Sequence, residues 1–291
     1  MILRSTHIFF FCGLSIWGMC QETILDSILF SQAPWQHDTL QKGVIYQHFH
    51  FDQKQLFASN QNINIIRVQK TNKKVQWKIA TGGKQLIKTS ELAKNYNAIS
   101  GVNGGFFNIK NGGSVNFLRI NGQITDTSYT EKNGGGYSLQ QSGVFAFNDQ
   151  EFVILKRKEK TIAGKWEENI PYPNIMESGP ILLSDYTIEN LTDTPFNTNR
   201  HPRTCVCITK DETILLTADG RNAMAQGLSL PELAQVLSWL GCKDGLNLDG
   251  GGSTTFYLDQ NGVVNMPSDN KLWDHEGERA VSNALLLVVR Q

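Results

Sequence analysis

The chain has 291 residues, which is enough for a single catalytic domain with a substantial hydrophobic core. It carries 27 lysines and arginines against 27 aspartates and glutamates, so its formal net charge is zero. Neutral charge without a basic run argues against nucleic acid as a general partner, although a few arginines can still form a local phosphate site.

The N-terminus has the pattern of an export signal. Arg4 precedes an apolar run over residues 8–17, which is too short to span a bilayer comfortably. Small residues at the end of this run favour cleavage after Cys20, so residues 1–20 are interpreted as a signal peptide. The alternative is a lipid anchor on Cys20. Both interpretations predict an exported protein that is periplasmic, cell-surface or secreted, with no membrane span.

The first half of the mature chain shows mainly the alternating pattern of β-strands. Residues 21 to about 40 resemble a leader with little chemistry, within a domain that we expect over residues 21–290 with strands from about residue 43. A short helix capped by Ser90 is predicted over residues 90–96, and a glycine-rich loop over the cleft at residues 133–136. The strands predicted here cover residues 44–49, 64–68, 98–103, 117–122, 143–148 and 152–156.

The strongest helix signal covers residues 229–240. Ser229 and Glu232 have the spacing of a capping box, and Pro231 falls in the first turn, where its missing N–H does no harm. Apolar residues recur at helical spacing as far as Gly241, which is a natural C-terminal stop. Because strands dominate and other helices are few, we expect an α+β fold with a mixed sheet in one domain.

Two aspartates follow apolar strands on either side of this helix. A strand–helix–strand connection brings the two strand ends to the same edge of a sheet, so Asp219 and Asp249 are expected to face one cleft. Three glycines come directly after Asp249, and such a run is costly to order. Their amides can form a concave nest for an anion. The alternative is a tight hairpin with a solvated aspartate.

Three cysteines remain once the signal is removed. Cys205 and Cys207 alternate along one strand, which does not favour a bridge between them. We expect buried apolar thiols. One alternative is a disulfide from Cys242 to Cys205 or Cys207. Another is a zinc site formed by the three cysteines and His201, although these residues lack a recognised ligand spacing.

Six blocks of the sequence resemble the phosphodiester glycosidase family, and together they cover roughly residues 95–290. The blocks are residues 101–108, 177–180, 202–204, 218–258, 267–269 and 279–283. The resemblance implies hydrolysis of a sugar from its phosphodiester at the anomeric carbon, with a substrate similar to an N-acetylglucosamine-1-phosphodiester. It therefore implies a glycan or small-molecule glycosyl phosphodiester as the partner.

Breaking the bond at C1 builds positive charge on the sugar and negative charge on the departing phosphate. A site therefore needs carboxylates near the sugar and cationic donors at the phosphate, for which arginine has a suitable planar fork. The candidate catalytic residues are Asp249, Glu177 and Asp219. Arg203 is the favoured phosphate ligand, and this assignment requires it to share a pocket with Glu177 and Asp249. The other candidate substrate and phosphate ligands are Arg221, Arg279, Asn103, Gly104, Gly250, Gly251, Gly252, Ser253 and Thr254.

Several assignments stay open at this level. Phe106 and Phe107 are expected either to stack on a sugar or to lie in the core, which is the commoner position. His201 and His275 are either proton carriers or turn residues. No cofactor or metal is expected, although aspartate-rich loops could admit calcium. The competing functions are a phosphodiesterase that cuts the P–O bond and a non-catalytic binder of anionic envelope glycans.

Overall fold

The computed structural model describes residues 24–126, 139–158 and 165–290. The predicted signal peptide with Cys20, and the predicted loop at residues 133–136, lie outside the described residues. Within those ranges, every helix is too short or too polar to cross a membrane.

Strands make up most of the regular structure in the described residues. The strands of the first half are β1 (Gln36–Gln41), β2 (Val44–Leu56), β3 (Ser59–Gln69), β4 (Val75–Thr81), β5 (Ile87–Lys88), β6 (Ala98–Asn103), β7 (Leu118–Ile120), β8 (Gln123–Asp126), β9 (Gly143–Phe147) and β10 (Phe152–Lys156). Those of the second half are β11 (Asn174–Ser178), β12 (Ile181–Ser184), β13 (Thr187–Ile188), β14 (Arg203–Ile208), β15 (Glu212–Ala218), β16 (Asp244–Asn247), β17 (Phe256–Leu258), β18 (Gly262–Val263), β19 (Ala280–Val281) and β20 (Asn283–Val289). The helices are α1 (residues 24–32), α2 (Thr89–Asn95), α3 (Lys165–Glu168), α4 (Pro195–Thr198) and α5 (Leu230–Trp239).

Three sheets enclose the central core. The large sheet has the order β1-β2-β3-β15-β14-β16-β12-β13, and the two smaller ones have the orders β10-β9-β11-β7-β8 and β18-β17-β6-β20-β4. One face of the large sheet, with Val206 and Leu215, packs against Phe145 and Leu285 from the two smaller sheets. Helices α1 and α5 lie over its other face, and α2 covers the outer face of the sheet that contains β6.

The α+β fold with one strong helix is confirmed. Helix α5 begins with the predicted capping box, in which the Glu232 amide donates to the Ser229 hydroxyl at 3.3 Å and the Ser229 amide donates to the Glu232 carboxylate at 2.8 Å. Ser90 does not cap α2 as predicted, because its hydroxyl donates instead to the Glu278 carboxylate at 2.6 Å.

The fold begins upstream of the strands expected from about residue 43. Helix α1 and strand β1 precede β2, and Phe30 of α1 packs edge-on against Trp35 with ring centroids 5.1 Å apart. The ring centroids of Phe30 and of Trp239 in α5 lie 5.6 Å apart. Residues interpreted as a leader therefore contribute an aromatic contact to the cover of the large sheet.

The crossover through α5 places two strand ends together. Strand β14 lies between β15 and β16 and pairs antiparallel with both, so β15 and β16 run parallel without being neighbours. All hydrogen-bonded strand pairs in the described ranges are antiparallel. The parallel strands that we expected in a mixed sheet are β15 and β16, which do not pair with each other because β14 lies between them. Asp219 and Asp249 consequently follow strands that end at the same edge.

Cys207 and Cys242 form a disulfide with a Cα–Cα distance of 5.9 Å, and Cys205 is a buried free thiol. The expectation of three buried thiols was wrong for two of them. The reason is tertiary, since β16 pairs with β14 directly after the chain leaves α5, and this brings Cys242 back over Cys207.

We expect reductant to lower the melting temperature of the protein. The disulfide closes a loop with a sequence separation of 35 residues, for which chain entropy predicts about 3–4 kcal/mol of stabilisation. Differential scanning fluorimetry with and without reductant measures the effect. The variant Cys205→Ala should keep the reductant response and the double variant Cys207→Ala/Cys242→Ala should lose it, whereas a response that survives in the double variant would contradict the assignment.

Candidate active site

The three sheets come together around residues 247–249. The Asp249 amide donates to the Gly104 carbonyl after β6 at 3.0 Å, and the side-chain amide of Asn247 donates to the Gly179 carbonyl after β11 at 2.9 Å. Asn103 also holds the backbone of Asp249, because its Nδ2 donates to the Asp249 carbonyl at 2.7 Å. Its Oδ1 accepts from the Thr204 hydroxyl at 2.7 Å. Asn103 therefore holds Asp249 in place with the polar atoms that we had expected to meet a substrate.

Each glycine of the run lies where a side chain would collide with a neighbour. A Cβ on Gly250 would lie 2.6 Å from the Pro202 carbonyl oxygen. A Cβ on Gly251, whose φ is +64°, would lie 2.8 Å from Nη2 of Arg221. A Cβ on Gly252 would overlap the guanidinium of Arg279. These close approaches, together with the left-handed backbone conformation of Gly251, explain why glycine occupies all three positions.

Two guanidinium groups thus lie over consecutive glycines beside Asp249. Arg221 is exposed and has no ion-pair or hydrogen-bond partner for its side chain in the described part of the chain. Arg279 is half-buried, and its Nε donates to Oδ1 of Asp269 at 3.1 Å. Nη2 of Arg279 contacts the same Asp269 oxygen, so the turn offers one guanidinium without a partner among the described residues, that of Arg221, and a second one that shares its charge with Asp269. Arginine beside such a turn suits an anion such as phosphate.

The Asp249 carboxyl is half-buried and titrates near neutrality. Burial raises its pKa to about 6, while the nearby Ser253 hydroxyl and the Gly250 amide favour the charged form. Arg279 and Arg221 also favour the charged form. A carboxyl in this state is available either as a base or nucleophile above its pKa or as an acid below it.

The amides of the turn do not form the predicted anion nest. The Gly250 amide donates to Oδ1 of Asp249 at 2.9 Å, and the Gly251 amide donates to the Pro202 carbonyl at 2.8 Å. The amides of Ser253 and Thr254 donate within the turn to the carbonyls of Gly250 and Gly251. Positive charge at the turn therefore comes mainly from the two arginines.

The Thr254 hydroxyl is fully buried and makes no hydrogen bond with the described residues, whereas the buried Ser253 hydroxyl lies beside the Asp249 carboxyl. A buried hydroxyl without a partner is costly, so the Thr254 hydroxyl is suited to meet a ligand or a water molecule.

The model of the phosphodiester glycosidase family matches residues 96–288. The chain belongs to the phosphodiester glycosidase family. No curated protein sequence matches the chain significantly.

Solved structures with the same fold share little sequence with this chain. The catalytic domain of zebrafish N-acetylglucosamine-1-phosphodiester α-N-acetylglucosaminidase, solved in a form auto-inhibited by its pro-peptide, is 20% identical with a TM-score of 0.67 and covers 88% of each chain. A hypothetical protein from Synechocystis is 15% identical with a TM-score of 0.68; the match covers 88% of this chain and 64% of that protein, less than two thirds of its length. A protein from Burkholderia pseudomallei K96243, provisionally described as exported, is 15% identical with a TM-score of 0.55, over 79% of this chain and 74% of that one. At these identities the similarity shows the fold.

Asp219 lies beneath the site and does not reach it. Its side chain is fully buried, and its oxygens accept from Asn62 at 2.7 Å, from Asn265 at 2.8 Å and from the Met266 amide at 3.0 Å. Burial raises its pKa, against the effect of these hydrogen bonds. Asn265 also donates to the Thr254 carbonyl at 3.1 Å, so Asp219 supports the glycine turn from below instead of facing the cleft with Asp249.

Glu177 is also held in buried contacts. Neighbouring side chains of a strand point to opposite faces, and Met176 of β11 packs in the central core near Gly104. The Glu177 carboxylate, on the other face, accepts from the Phe117 amide at 2.8 Å and pairs with Arg157, which is itself fully buried. This geometry favours a structural role, and it does not place the carboxylate beside Asp249.

Arg203 is an anchor for neighbouring loops. It is 2% exposed, its Nε donates to the Leu228 carbonyl at 2.9 Å, and its Nη2 donates to the carbonyls of Phe196 and Asn199 at 2.9 and 3.0 Å. Burial and the nearby Arg221 lower its pKa to about 10. Nη1 is the part of the guanidinium without a hydrogen bond to described residues. The side chains of Glu177 and Arg203 are therefore each held by contacts of their own, and they do not gather around the Asp249 carboxyl in the common pocket that we expected.

The aromatic and histidine candidates have mixed positions. Phe106 is buried and lies 6.2 Å from Phe196, and Phe107 packs beside the core under α2, so both occupy core positions. Burial, with Arg203 and Arg221 nearby, lowers the pKa of His201. His275 contacts the Asn265 carbonyl at 2.7 Å.

Several supporting residues were missed at the sequence level. Asp269 orients Arg279, Asn62 and Asn265 hold Asp219, and the Asn283 side chain accepts from the Gly105 amide at 2.7 Å. One available signal was polarity at buried strand positions, as for Asn62 in β3 and Asn283 in β20. Asn265 lies in a loop, where no comparable pattern marks it, whereas Asp269 falls within the block of residues 267–269 that resembles the family.

We expect Gly251→Ala to lower hydrolysis of a glycosyl phosphodiester by at least about tenfold, because the new methyl displaces the guanidinium of Arg221. Gly262→Ala is the matched control, since its φ of +75° imposes similar backbone strain and no atom lies within 4 Å of its Cβ. Thermal unfolding and initial rates of both variants test this. Equal activity in two equally destabilised variants would refute the proposed contact.

Proposed function

We propose that this chain is an exported hydrolase that cleaves glycosyl-1-phosphodiesters between C1 and oxygen, releasing free sugar and a phosphomonoester. The observation that carries the proposal is the pair of guanidinium groups over Gly251 and Gly252 beside the Asp249 carboxyl. Family membership supports the reaction class, and the zebrafish domain of the same fold is by its name specific for an N-acetylglucosamine-1-phosphodiester.

In this proposal the two arginines bind the phosphate. Arg221 and Arg279 make charge-assisted hydrogen bonds to its oxygens, and these bonds strengthen as negative charge grows on the leaving group. The buried hydroxyl of Thr254 donates a further hydrogen bond from the turn, while the Ser253 hydroxyl donates to the Asp249 carboxylate. A phosphomonoester stabilised in this way is a good leaving group, so the reaction needs little help from a general acid.

Asp249 is assigned to the sugar side of the broken bond. Its ionised carboxylate stabilises the positive charge that develops at C1, or attacks or activates water there. Glu177 and Asp219 take supporting roles in this assignment, because both are buried and hydrogen-bonded away from the cleft. No metal is included in the proposal, and activity is expected to withstand a chelator.

Export is part of the same proposal. The N-terminal sequence has the pattern of a signal peptide, and the Cys207–Cys242 disulfide is typical of oxidising compartments. The substrate would then be a phosphodiester-linked glycan or glycoside outside the cytoplasm.

Activity is expected to rise as the pH passes through about 6. The pKa of Asp249 is raised to about 6, and the proposed role needs the ionised form, so protonation below that pH removes activity. Arg221→Ala removes a positive charge that favours ionisation and should move this acid limb to higher pH. Profiles of kcat/KM against pH for the wild type, Arg221→Ala and the distant control Arg67→Ala check this; an acid limb that stays in place in Arg221→Ala argues against the assignment.

Hydrolysis in ¹⁸O-labelled water should place the label in the released sugar. Label in the phosphate would instead identify a phosphodiesterase that cuts the P–O bond, and binding without turnover would identify a glycan-binding protein. Mass spectrometry of both products from an N-acetylglucosamine-1-phosphodiester separates these outcomes.

Asp249→Asn should lower turnover by at least about a hundredfold. Because burial raises the pKa of Asp249 above that of an unfolded aspartate, its ionisation costs stability at a pH above about 6. The asparagine variant should therefore be no less stable than the wild type at about pH 8. A folded Asp249→Asn variant with full activity would refute the catalytic role.

A further inference from the structure

The two loops that place arginines over the glycine turn also expose apolar side chains. Met224 follows Arg221 on its loop and is 41% exposed. Leu272, on the loop that leads to Arg279, is 60% exposed, and the neighbouring Trp273 is half-buried. Single exposed apolar residues are ordinary, but a group of them on two adjoining loops beside a cationic site is typical of a binding surface.

His50 connects the two loops. Its Nε2 contacts the Met224 carbonyl at 2.8 Å, and its ring centroid lies 5.6 Å from that of Trp273 with an angle of 34° between the planes. We call the surface formed by Met224, Leu272, Trp273 and His50 the apolar ledge. It adjoins the arginine site along the chain, because one loop begins at Arg221 and the other ends at Arg279.

The ledge is preformed. Nδ2 of Asn60 donates to the Ala223 carbonyl at 2.9 Å, and the Gln226 amide donates to the Asn60 carbonyl at 2.9 Å, so the first loop is fixed to the β2–β3 hairpin. On the second loop, the Leu272 amide donates to Oδ1 of Asn270 at 2.9 Å. A surface that is already ordered loses little conformational entropy when a ligand binds.

We propose that the apolar ledge binds the alcohol of the second ester of the substrate, and that this alcohol is apolar, such as an aliphatic chain. This inference rests on the proposed function. With the sugar at Asp249 and the phosphate at Arg221 and Arg279, the proposal places the second ester toward the loops that carry these arginines. The two most exposed side chains of the ledge, Met224 and Leu272, offer no strong hydrogen-bonding group to a polar alcohol, and Nε2 of His50 already contacts the Met224 carbonyl. An alkyl chain would remove the surface of these side chains from water.

Binding to the Asp249→Asn protein tests the ledge separately from turnover. The probes are the methyl, hexyl and mannosyl phosphodiesters of N-acetylglucosamine 1-phosphate, and isothermal titration calorimetry gives their dissociation constants. The hexyl ester should bind at least about tenfold more tightly than the methyl ester, as burial of two or more methylene groups predicts. Adding Trp273→Ala or Met224→Ser should reduce this ratio to less than about threefold. Adding Ile188→Ser, on the exposed edge strand β13 away from the site, should leave the ratio intact.

The outcomes separate the two proposals. Equal affinity for the methyl and hexyl esters, or a ratio that survives both ledge substitutions, overturns the apolar ledge. The mannosyl ester gives a further test. If it binds as much more tightly than the methyl ester as the hexyl ester does, and Trp273→Ala removes this difference in affinity, the proposal is also overturned, because the surface would then stack on sugars. Failure of the wild type to cleave an ester that binds with the expected ratio refutes the proposed function and leaves the ledge supported.

Discussion

The site depends on a turn of three glycines that has no room for side chains. At Gly250 the neighbour is the Pro202 carbonyl, and at Gly251 and Gly252 the neighbours are guanidinium groups. Ordering such a run costs conformational entropy. The cost is offset by a buried set of hydrogen bonds that holds the turn from several directions, through Asn103 on one side and Asn265 below. The lack of side chains at these glycines is therefore what allows two cations to lie beside one carboxyl. This proximity is the basis of the proposed chemistry.

The charges at the turn are arranged for a ligand more than for stability. Arg279 has a carboxylate partner in Asp269, whereas Arg221 is exposed without an ion pair among the described residues. Asp249 is disfavoured in its ionised form by burial, and the arginines compensate only in part because its pKa still lies above the usual range. An anionic phosphate beside Arg221 would complete the set of charges. Polar groups that are fixed before the substrate arrives need little reorganisation during the reaction, which is the main source of electrostatic catalysis.

The sequence was sufficient to predict the local elements and the strand ends, but not the partners of individual side chains. The capping box of α5 and the crossover that brings Asp219 and Asp249 to one edge depend on local patterns and on general rules of chain connection. The hydrogen bond from Asn62 to Asp219 spans 157 positions, and the Cys207–Cys242 pairing depends on how β16 returns to β14. Such contacts are set by tertiary packing, and spacing in the sequence does not encode them.

The three candidate carboxyls show how environment separates structural from chemical roles. Glu177 pairs with the buried guanidinium of Arg157, which it shares with Glu167, and accepts a hydrogen bond from a backbone amide. Asp219 is surrounded by amide donors of neutral residues in a fully buried position, and burial raises its pKa. Asp249 alone of the three combines partial exposure with two adjacent cations, and burial raises its pKa to about 6. All three are carboxyl groups in segments that resemble the family, so the difference lies in what each carboxyl has as a neighbour. Carboxyls in different environments are those to which acid–base and nucleophilic sites assign different tasks.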